Sequence, residues 1–386
     1  MSINKAIQGL FESPCLDAAA WGLTASFLFC LVLVLTKRWH GVLTMDGTDG
    51  IQKFHSSPTP RVGGVPIVLG LVIAWSKAPA DVKHLLTPFL LAGLPAFVFG
   101  VLEDVTKRVG VLLRLLATMA SGLLAWWITD YSLTRVDVLG VDWLLHFTFV
   151  SVIFTAFAVG GVANSINIID GFNGLASLAS TWAFLGYAGI AWQVGDGQLA
   201  GVALVLAGCV FGFFLVNWPL GKIFLGDGGS YFIGFALAWV AVMLLERHPE
   251  VSAFAALVVC VHPVTEVLFS VFRRRLKKLH PGHPDRMHFH SLVKRRYVAR
   301  WFVGVSNRNR NSITGVVMGS LTLVAVVAAN LFYGSVWLSA ATFLAFALGY
   351  VAIYARIVRH QWCSPIKFLF VRPDFKIPKP PPHVVG

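Results

Sequence analysis

The chain has 386 residues, of which 56% are hydrophobic and only 13% are charged, and its formal net charge is +13. A soluble domain typically carries about 25% charged residues, so this composition excludes an ordinary soluble protein and indicates that a lipid bilayer surrounds most of the chain. The five cysteines show no CxxC spacing, which argues against a disulfide framework or a zinc site. The positive charge is therefore interpreted through membrane topology and not as a nucleic-acid-binding surface.

Apolar segments of roughly 17–25 residues, the length that crosses about 30 Å of hydrocarbon as a helix, recur from Ala18 onward. They predict eleven transmembrane helices, near 18–36, 64–79, 85–102, 111–129, 145–163, 174–192, 199–217, 229–245, 251–272, 312–330 and 336–355. The predicted fold is an all-α polytopic membrane protein with one integral membrane domain over residues 1–355. The remainder, 356–386, is predicted to be a basic, Pro-rich cytoplasmic tail, whose Pro-rich end Lys376–Pro382 is disordered.

The distribution of Lys and Arg predicts the orientation of the helices. With eleven spans, and with Arg114 counted in the loop that it borders, 26 of the 31 basic residues fall in the connections and the C-terminal tail on one side, which the positive-inside rule makes cytoplasmic. The N-terminus is then periplasmic and the C-terminus cytoplasmic. Polar residues from four separate regions come to lie at the cytoplasmic ends of helices, where ionisable groups are usually functional.

The first polar region is the acidic pair Glu103 and Asp104, at the end of an apolar helix. Two adjacent carboxylates repel each other, so one is expected to act as a general base or the pair to bind a cation. The alternative is an ordinary acidic helix end that pairs with Lys107 and Arg108.

In the second region, Asn164, Asn167 and Asp170 recur every third residue and therefore share one helix face. The turn Gly171–Gly174 follows, with Phe172 and Asn173 inside it. Amide donors next to a carboxylate are suited to a phosphate or a ribose. The alternative is that buried Asn residues hydrogen-bond neighbouring helices.

The third region is Phe224–Ser230, in which Asp227 stands among glycines at the start of a helix. Glycine allows the backbone to approach a ligand, and the free N–H groups of a helix start favour phosphate. An Asp in this setting indicates a ligand of Mg²⁺, which takes few carboxylates together with substrate phosphates. The alternative is a helix N-cap.

The fourth region, His283–His290, lies in the most basic connection and contains Arg286, His288 and His290. The histidine spacing is a weak zinc signal, and cations that bind a diphosphate fit it better. Asn217, beside the third region, and the early residues His55 and Arg61 are weaker candidates.

Together these segments resemble the polyprenyl-phosphate N-acetylhexosamine-1-phosphate transferase family (glycosyltransferase family 4). The similarity spans about residues 46–292 and rests on the acidic pair, on NxxNxxDGxxGL from Asn164, on FxGDxGS from Phe224 and on PDRxHxH from Pro284. The segment Lys53–Gly64 also resembles the first cytoplasmic loop of the family. The resemblance implies eleven helices and an active site on the cytoplasmic face of a bacterial inner membrane.

The resemblance further implies a reaction in which a UDP-N-acetylhexosamine and undecaprenyl phosphate give undecaprenyl-diphospho-sugar and UMP. Mg²⁺, or Mn²⁺ in its place, is the expected cofactor, and Asp227 the expected metal ligand. A homodimer is left open, and no nucleic-acid partner is expected. Residues and resemblance together give as catalytic candidates Glu103, Asp104, Asp170, Asp227, His288 and His290. The substrate-binding candidates are Lys53, His55, Arg61, Lys107, Asn164, Asn167, Gly171, Phe172, Asn173, Asn217, Phe224 and Arg286.

Two departures from the family pattern shape the expected substrate. The acidic pair is Glu-Asp where the family has Asp-Asp, so the carboxylate of Glu103, in the position of the family's base, lies one methylene further from the backbone. The peptidoglycan translocase has three successive histidines followed by Glu, which this chain lacks, so an amino sugar for O-antigen or a related surface polysaccharide is favoured. The alternatives are a membrane transporter or flippase, and a membrane scaffold whose site has decayed.

Overall fold

The computed structural model describes residues 14–46, 59–276, 278 and 287–359, and within them the chain is mainly helical. The helices are α1 (Pro14–Leu35), α2 (Lys37–Thr44), α3 (Gly64–Lys77), α4 (Ala80–Ala92), α5 (Leu94–Thr106), α6 (Val111–Thr129), α7 (Leu139–Leu145), α8 (Thr148–Ile169), α9 (Leu175–Gln193), α10 (Gly197–Asn217), α11 (Gly226–Arg247), α12 (Ala253–Val259), α13 (Val261–Leu276), α14 (Phe289–Val293), a π-helix (Lys294–Val298), α15 (Ala299–Trp301), α16 (Asn307–Phe332) and α17 (Val336–Val358).

The described residues contain one small antiparallel sheet of two strands, each two residues long. Its strands are β1 (Met45–Asp46) and β2 (Thr59–Pro60), with Met45 opposite Pro60. The prediction of a helical membrane protein is otherwise confirmed, and each predicted apolar segment coincides with a helix or with a pair of helices. The tail from residue 360 lies outside the described residues.

Two of the predicted spans are broken, and the prediction of continuous helices was wrong there. The span near 85–102 is divided between α4 and α5, with a bend of 44°. The span near 251–272 is divided between α12 and α13, with a bend of 85°. Pro95 lies in the first turn of α5, and Pro263 in the first turn of α13. Proline has no N–H to continue a preceding helix, which favours a break just before it.

The exact number of membrane spans stays a prediction. Among the described residues, seven helices are long and apolar enough to cross a bilayer, and the two bent pairs raise the number to as many as nine. Helix α3 has 14 residues and is shorter than a standard span. The orientation predicted from the charges likewise remains a prediction.

Helix α11 is the centre of the bundle. Nearly all of its residues are buried, and it packs against α3, α5, α8 and α9. Its first turn carries Asp227. The neighbouring helices therefore surround the start of α11 and determine which side chains reach Asp227.

Glycines allow the neighbouring helices to approach this first turn closely. A Cβ atom on Gly100 of α5 would lie 2.5 Å from the Cα atom of Gly228, and one on Gly64 of α3 would lie 2.4 Å from the backbone N of Gly229. Real Cβ atoms do not approach other atoms this closely. The two glycines therefore bring α3 and α5 against the segment that holds Asp227.

Candidate active site

Asp227 is the centre of the polar cluster at this end of the bundle. Its carboxylate is 1% exposed and accepts hydrogen bonds from the guanidinium groups of Arg61 and Arg114. Asn167 donates a third hydrogen bond through Nδ2, at 3.1 Å. Three regions that are far apart in the sequence therefore meet at one buried carboxylate.

Asp104 holds the turn that carries Asp227. Its two carboxylate oxygens accept hydrogen bonds from the backbone N–H groups of Asp227 (2.8 Å) and Gly228 (2.9 Å). The Nε atom of Arg61 lies 3.3 Å from Oδ1 of the same carboxylate. Asp104 thus satisfies two free N–H groups at the start of α11, and its negative charge interacts favourably with the positive end of the helix dipole.

The loop before α3 places Arg61 through backbone hydrogen bonds. Phe224 N–H donates to the Pro60 carbonyl at 2.8 Å, and Gly63 N–H donates to the Phe224 carbonyl at 2.9 Å. Arg61 is thereby held beside the segment that leads into α11. The half-buried Phe224 lies in the same segment, and the structure thus joins the first and third polar regions with the early loop.

Glu103 has a different environment from Asp104. One of its carboxylate oxygens accepts a hydrogen bond from the backbone N–H of Val109 at 2.8 Å. Lys107 is exposed, and its Nζ atom donates to the backbone carbonyl of Asp104 at 2.7 Å. The adjacent acids therefore do not act as a matched pair: Asp104 binds the start of α11, and Glu103 binds the loop that follows its own helix.

Helix α8 extends to Ile169, six residues beyond its predicted end, so Asn164 and Asn167 lie in its last turns. Asn167 also donates to the hydroxyl of Ser230 at 2.9 Å and accepts a hydrogen bond from the hydroxyl of Tyr231 at 3.4 Å. Asn164 is half-buried. The predicted face of α8 therefore points towards α11, and Asn167 reaches its first turn.

Asp170 follows α8 directly. Its half-buried carboxylate accepts no hydrogen bond from any residue that the structure describes. Burial raises the pKa of this carboxyl group to about 7, because the positive charge of Arg61 only partly offsets burial and the nearby charges of Asp227 and Asp104 add to the rise. Asp170 is therefore the acid of the cluster whose oxygens are available to a substrate.

Two predicted substrate contacts, Asn173 and Asn217, have partners within the protein. Asn217 accepts a hydrogen bond from Gly174 N–H and donates to the Ile223 carbonyl at 2.7 Å. Asn173 donates to the hydroxyl of Ser312 at 3.0 Å. These bonds hold the turn after α8 against α10 and α16, so in this structure both amides position the turn. Their contact with a nucleotide stays a prediction.

The histidine segment lies against that turn. The rings of His288 and His290 stack with 5.4 Å between their centroids, and His290 meets Phe172 edge-on, also at 5.4 Å. A Cβ atom on Gly171 would lie 3.0 Å from Nε2 of His290. The second and fourth polar regions, both predicted to lie at the cytoplasmic ends of helices, are therefore in contact. Lys53, His55 and Arg286 lie outside the described residues.

Several polar residues of the site were missed from the sequence. Arg114 was counted only as a basic residue near a helix end, although an arginine inside the apolar run 111–129 could have indicated a site. Lys294 is 6% exposed, and its Nζ atom lies 5.3 Å from the centroid of the Phe172 ring. Burial and the neighbouring Arg310 lower the pKa of Lys294 to about 8. The π-helix that carries it is a conformation often found at functional sites.

The donor atoms of the site fit a hard cation only with help from a substrate. The described residues contain no group of three or more His, Cys, Asp or Glu side chains arranged to hold a metal ion. Asp227 offers carboxylate oxygens, which Mg²⁺ prefers, but two arginines also bind them. Since Mg²⁺ commonly uses one or two carboxylates together with substrate phosphates, Asp227 fits a metal that arrives with a diphosphate.

Comparison with known proteins agrees with this arrangement. Residues 86–245 match the sequence model of the family described as "Glycosyl transferase family 4". This segment includes α5, α8 and all but the last two residues of α11, and these helices carry Asp104, Asn167 and Asp227. This part of the chain is similar to glycosyl transferase family 4.

Curated relatives extend the similarity over most of the length of the chain. It is 24% identical over 343 residues, or 87% of this chain and 90% of the relative, to "Undecaprenyl-phosphate alpha-N-acetylglucosaminyl 1-phosphate transferase" of Yersinia pestis. The protein of the same name from Escherichia coli (strain K12) is 25% identical over 350 residues, covering 88% and 91% of the two chains. A Bacillus subtilis protein described as "Probable undecaprenyl-phosphate N-acetylglucosaminyl 1-phosphate transferase" is 27% identical over 248 residues, or 62% and 66%. Together with the apolar helices of the chain, these relatives indicate a multi-pass membrane protein.

Proposed function

We propose that this protein moves an N-acetylhexosamine-1-phosphate from a UDP-sugar to undecaprenyl phosphate and releases UMP. The observation that carries the proposal is the set of contacts at Asp227, where two arginines and Asn167 converge on one buried carboxylate beside the open carboxylate of Asp170. The names of the relatives support the acceptor and the transferred group.

The reaction joins two anionic phosphates, so its main requirement is positive charge at the reacting phosphorus. An oxygen of the acceptor phosphate attacks the β-phosphorus of the UDP-sugar, and the bond from that phosphorus to the oxygen bridging to the α-phosphate breaks. The electron pair of this bond leaves with UMP. Arg61 and Arg114 lie where they stabilise the spreading negative charge, and His288 and His290 lie beside the turn that carries Asp170.

Asp170 is the acid best placed to accept a proton from the acceptor phosphate. Asp104 already accepts two backbone hydrogen bonds at the start of α11, and Glu103 accepts one from Val109. The proposal therefore assigns the base to Asp170 and a positioning role to Asp104. This assignment replaces the expectation from the family pattern, in which the adjacent acids supplied the base.

Mg²⁺, or Mn²⁺ in its place, is proposed as the cofactor, with Asp227 as its protein ligand. When bound, the metal would supply positive charge to the phosphates. The site around Asp227 is proposed to face the cytoplasm of a bacterium, at the inner membrane. The reason is that the connections on that side carry most of the Lys and Arg residues. The product would start O-antigen, lipopolysaccharide or a related cell-envelope polysaccharide, and the protein could act as a homodimer.

A transporter or flippase is the competing proposal. One observation supports it: Glu266 lies on α13 of the broken pair α12–α13, and broken helices often form transport sites. The relatives and the family match favour group transfer instead. A decayed scaffold predicts that the purified protein is inactive and that Glu103→Asp restores turnover.

The test uses the purified protein in vesicles that contain undecaprenyl phosphate, with a panel of UDP-N-acetylhexosamines labelled in the sugar phosphate. We expect label in the lipid phase together with stoichiometric UMP, and loss of both without the acceptor. Asp227→Asn should abolish the stimulation by Mg²⁺. Absence of lipid-phase label with every donor would overturn the proposal, and movement of intact donor across the vesicle membrane would favour transport.

A further inference from the structure

We propose that Glu266 is a positioning residue of the transfer site, which fixes the ring of His288 and sets the histidine segment against the turn that carries Asp170. No motif assigned a function to this residue, which lies in the apolar stretch before the basic end of α13. The proposal rests on the proposed function, because the histidine segment matters here as part of the transfer site.

The contacts of Glu266 are those of an anchor. Its side chain is 2% exposed, and its Oε1 atom lies 3.0 Å from Nδ1 of His288. Both carboxylate oxygens also accept the backbone N–H of Phe289, each at 3.2 Å. One buried carboxylate on α13 therefore holds both the ring of His288 and the first residue of α14.

The contact with Nδ1 determines the chemistry of the His288 ring. An ionised carboxylate only accepts hydrogen bonds, so Nδ1 of His288 must carry the proton that it shares with Glu266. The proton-dependent chemistry of the ring then falls to Nε2. A carboxylate that orients a histidine in this way has the same role as the outer partners of metal-bound histidines.

The anchor is connected to the catalytic turn through packed rings. His288 stacks on His290 with 12° between the ring planes, and His290 packs on Phe172. Phe172 lies two residues after Asp170, and Lys294 covers the same ring. A change in the His288 ring would therefore be transmitted to Asp170 through direct side-chain contacts.

A purely structural role for Glu266 is the competing explanation, since the bonds to Phe289 N–H also cap α14. The two roles differ in their dependence on His288. If Glu266 acts by orienting that ring, removing Glu266 adds nothing once the ring is gone. If it only caps α14, the two losses are independent.

The experiment compares Glu266→Ala, Glu266→Gln, His288→Gln and the double variant Glu266→Ala/His288→Gln in the vesicle assay. Gln keeps an acceptor oxygen for Nδ1 and Phe289 N–H, whereas Ala keeps none. Glu246→Ala is the matched control, because Glu246 also accepts a backbone hydrogen bond, from Thr134 N–H at 3.0 Å, but at the opposite end of α11.

We expect Glu266→Ala to lower kcat by about 10- to 100-fold, the loss seen when such outer partners are removed, with KM for the donor changed less than threefold. The kcat of Glu266→Gln should be at least about tenfold higher than that of Glu266→Ala. The double variant should be no slower than His288→Gln alone. Independent, multiplying losses, or a loss equal to that of Glu246→Ala, would overturn the positioning role.

A spectroscopic measurement separates this proposal from the proposed function. In protein labelled with ¹⁵N-histidine, the signal of His288 is identified as the one that His288→Gln removes. This signal should show a proton on Nδ1 in the wild type and in Glu266→Gln. In Glu266→Ala the Nδ1–H form should no longer predominate. This result is independent of turnover. An unchanged His288 signal in Glu266→Ala refutes the anchor even in an active enzyme, whereas an inactive wild type with the expected signal refutes only the transfer reaction.

Discussion

The carboxylate of Asp104 accepts the backbone N–H of Asp227 at 2.8 Å, so an acid near the end of α5 determines how the acid at the start of α11 is presented. The pair also shares Arg61, which contacts both carboxylates. This contact gives the two acids different roles, which the sequence alone does not reveal. Asp104 holds the first turn of α11, and Asp227 binds the guanidinium groups of Arg61 and Arg114.

Asp104→Asn tests the supporting role. The substitution keeps the size of the side chain but removes its negative charge and one acceptor oxygen from the start of α11, so the free energy of unfolding should fall by about 1 kcal/mol. Turnover should fall further, because Asp227 loses its fixed position. Thermal unfolding in detergent and the lipid-labelling assay measure the two effects.

The control for this experiment is Asp137→Asn. Asp137 accepts the backbone N–H of Ala253 at 2.6 Å, at the start of α12 and away from the active site. It should lose similar stability without the additional loss of turnover. Equal turnover losses in the two variants would contradict the role of Asp104.

Arg114→Ala should lower kcat by about 10²–10³-fold, the loss typical for removing one group that stabilises charge in the transition state. Arg114→Lys should recover only part of it, because lysine keeps the charge but not the planar fork of donors. Steady-state kinetics with a labelled UDP-sugar provides the measurement. Arg135→Lys is the control, since Arg135 pairs with Asp137 outside the active site. Wild-type turnover in Arg114→Ala would contradict the assignment.

Asp170 predicts a dependence on pH. Since its pKa is raised to about 7, the ionised form that accepts a proton becomes populated as the pH rises through 7, and kcat should rise with it. Asp170→Asn should have low activity and no such rise between pH 6 and about 8. A rise of the same shape in Asp170→Asn would show that another group titrates.

The same shift predicts an opposite effect on stability. A carboxyl group whose pKa is higher in the folded state than in the unfolded state stabilises the fold while it is protonated, and this contribution is lost as the pH rises from about 4 to about 7. Asp170→Asn should therefore gain melting temperature relative to the wild type as the pH is raised from 5 to about 8. A constant difference in melting temperature over this range would contradict the burial of an ionised Asp170.

Gly100→Ala should destabilise the protein by about 1–3 kcal/mol, because the added methyl group would overlap the backbone of Gly228. Gly161→Ala, in the middle of α8, is the matched control because no atom lies within 4 Å of its added Cβ. It should leave stability unchanged or raise it by about 0.5–1 kcal/mol. Melting temperatures in one detergent compare the two variants, and an equal response would show that the close approach of α5 to α11 does not matter.

Much of the architecture follows from the sequence because each helix needs a long apolar segment and each polar region interrupts one. The convergence of Asn167, Asp227 and Arg61 was therefore predictable from their places at helix ends. The breaks before Pro95 and Pro263 were missed because a proline in an apolar segment is compatible with a continuous transmembrane helix, in which neighbouring helices satisfy the freed backbone groups.

The pairing of side chains could not be predicted, because it depends on which helices pack together. Asp104 and Asp227 are 123 residues apart, and nothing in either local sequence identifies the other as its partner. Arg114 and Glu266 were missed for the same reason: each is a single charged residue in a segment explained by topology alone. Only the bundle shows that one reaches Asp227 and the other His288.

The burial of α11 has a consequence for how relatives with different sugar donors could arise. A helix packed on every side accepts few substitutions, so the part of the site that handles phosphate is expected to be shared among them. Variation in donor choice should then fall on the turn after α8 and on the histidine segment, which meet through Phe172 and His290. Chimeras that exchange these two short segments together, and leave α11 unchanged, are the rational route to a transferase with a new sugar.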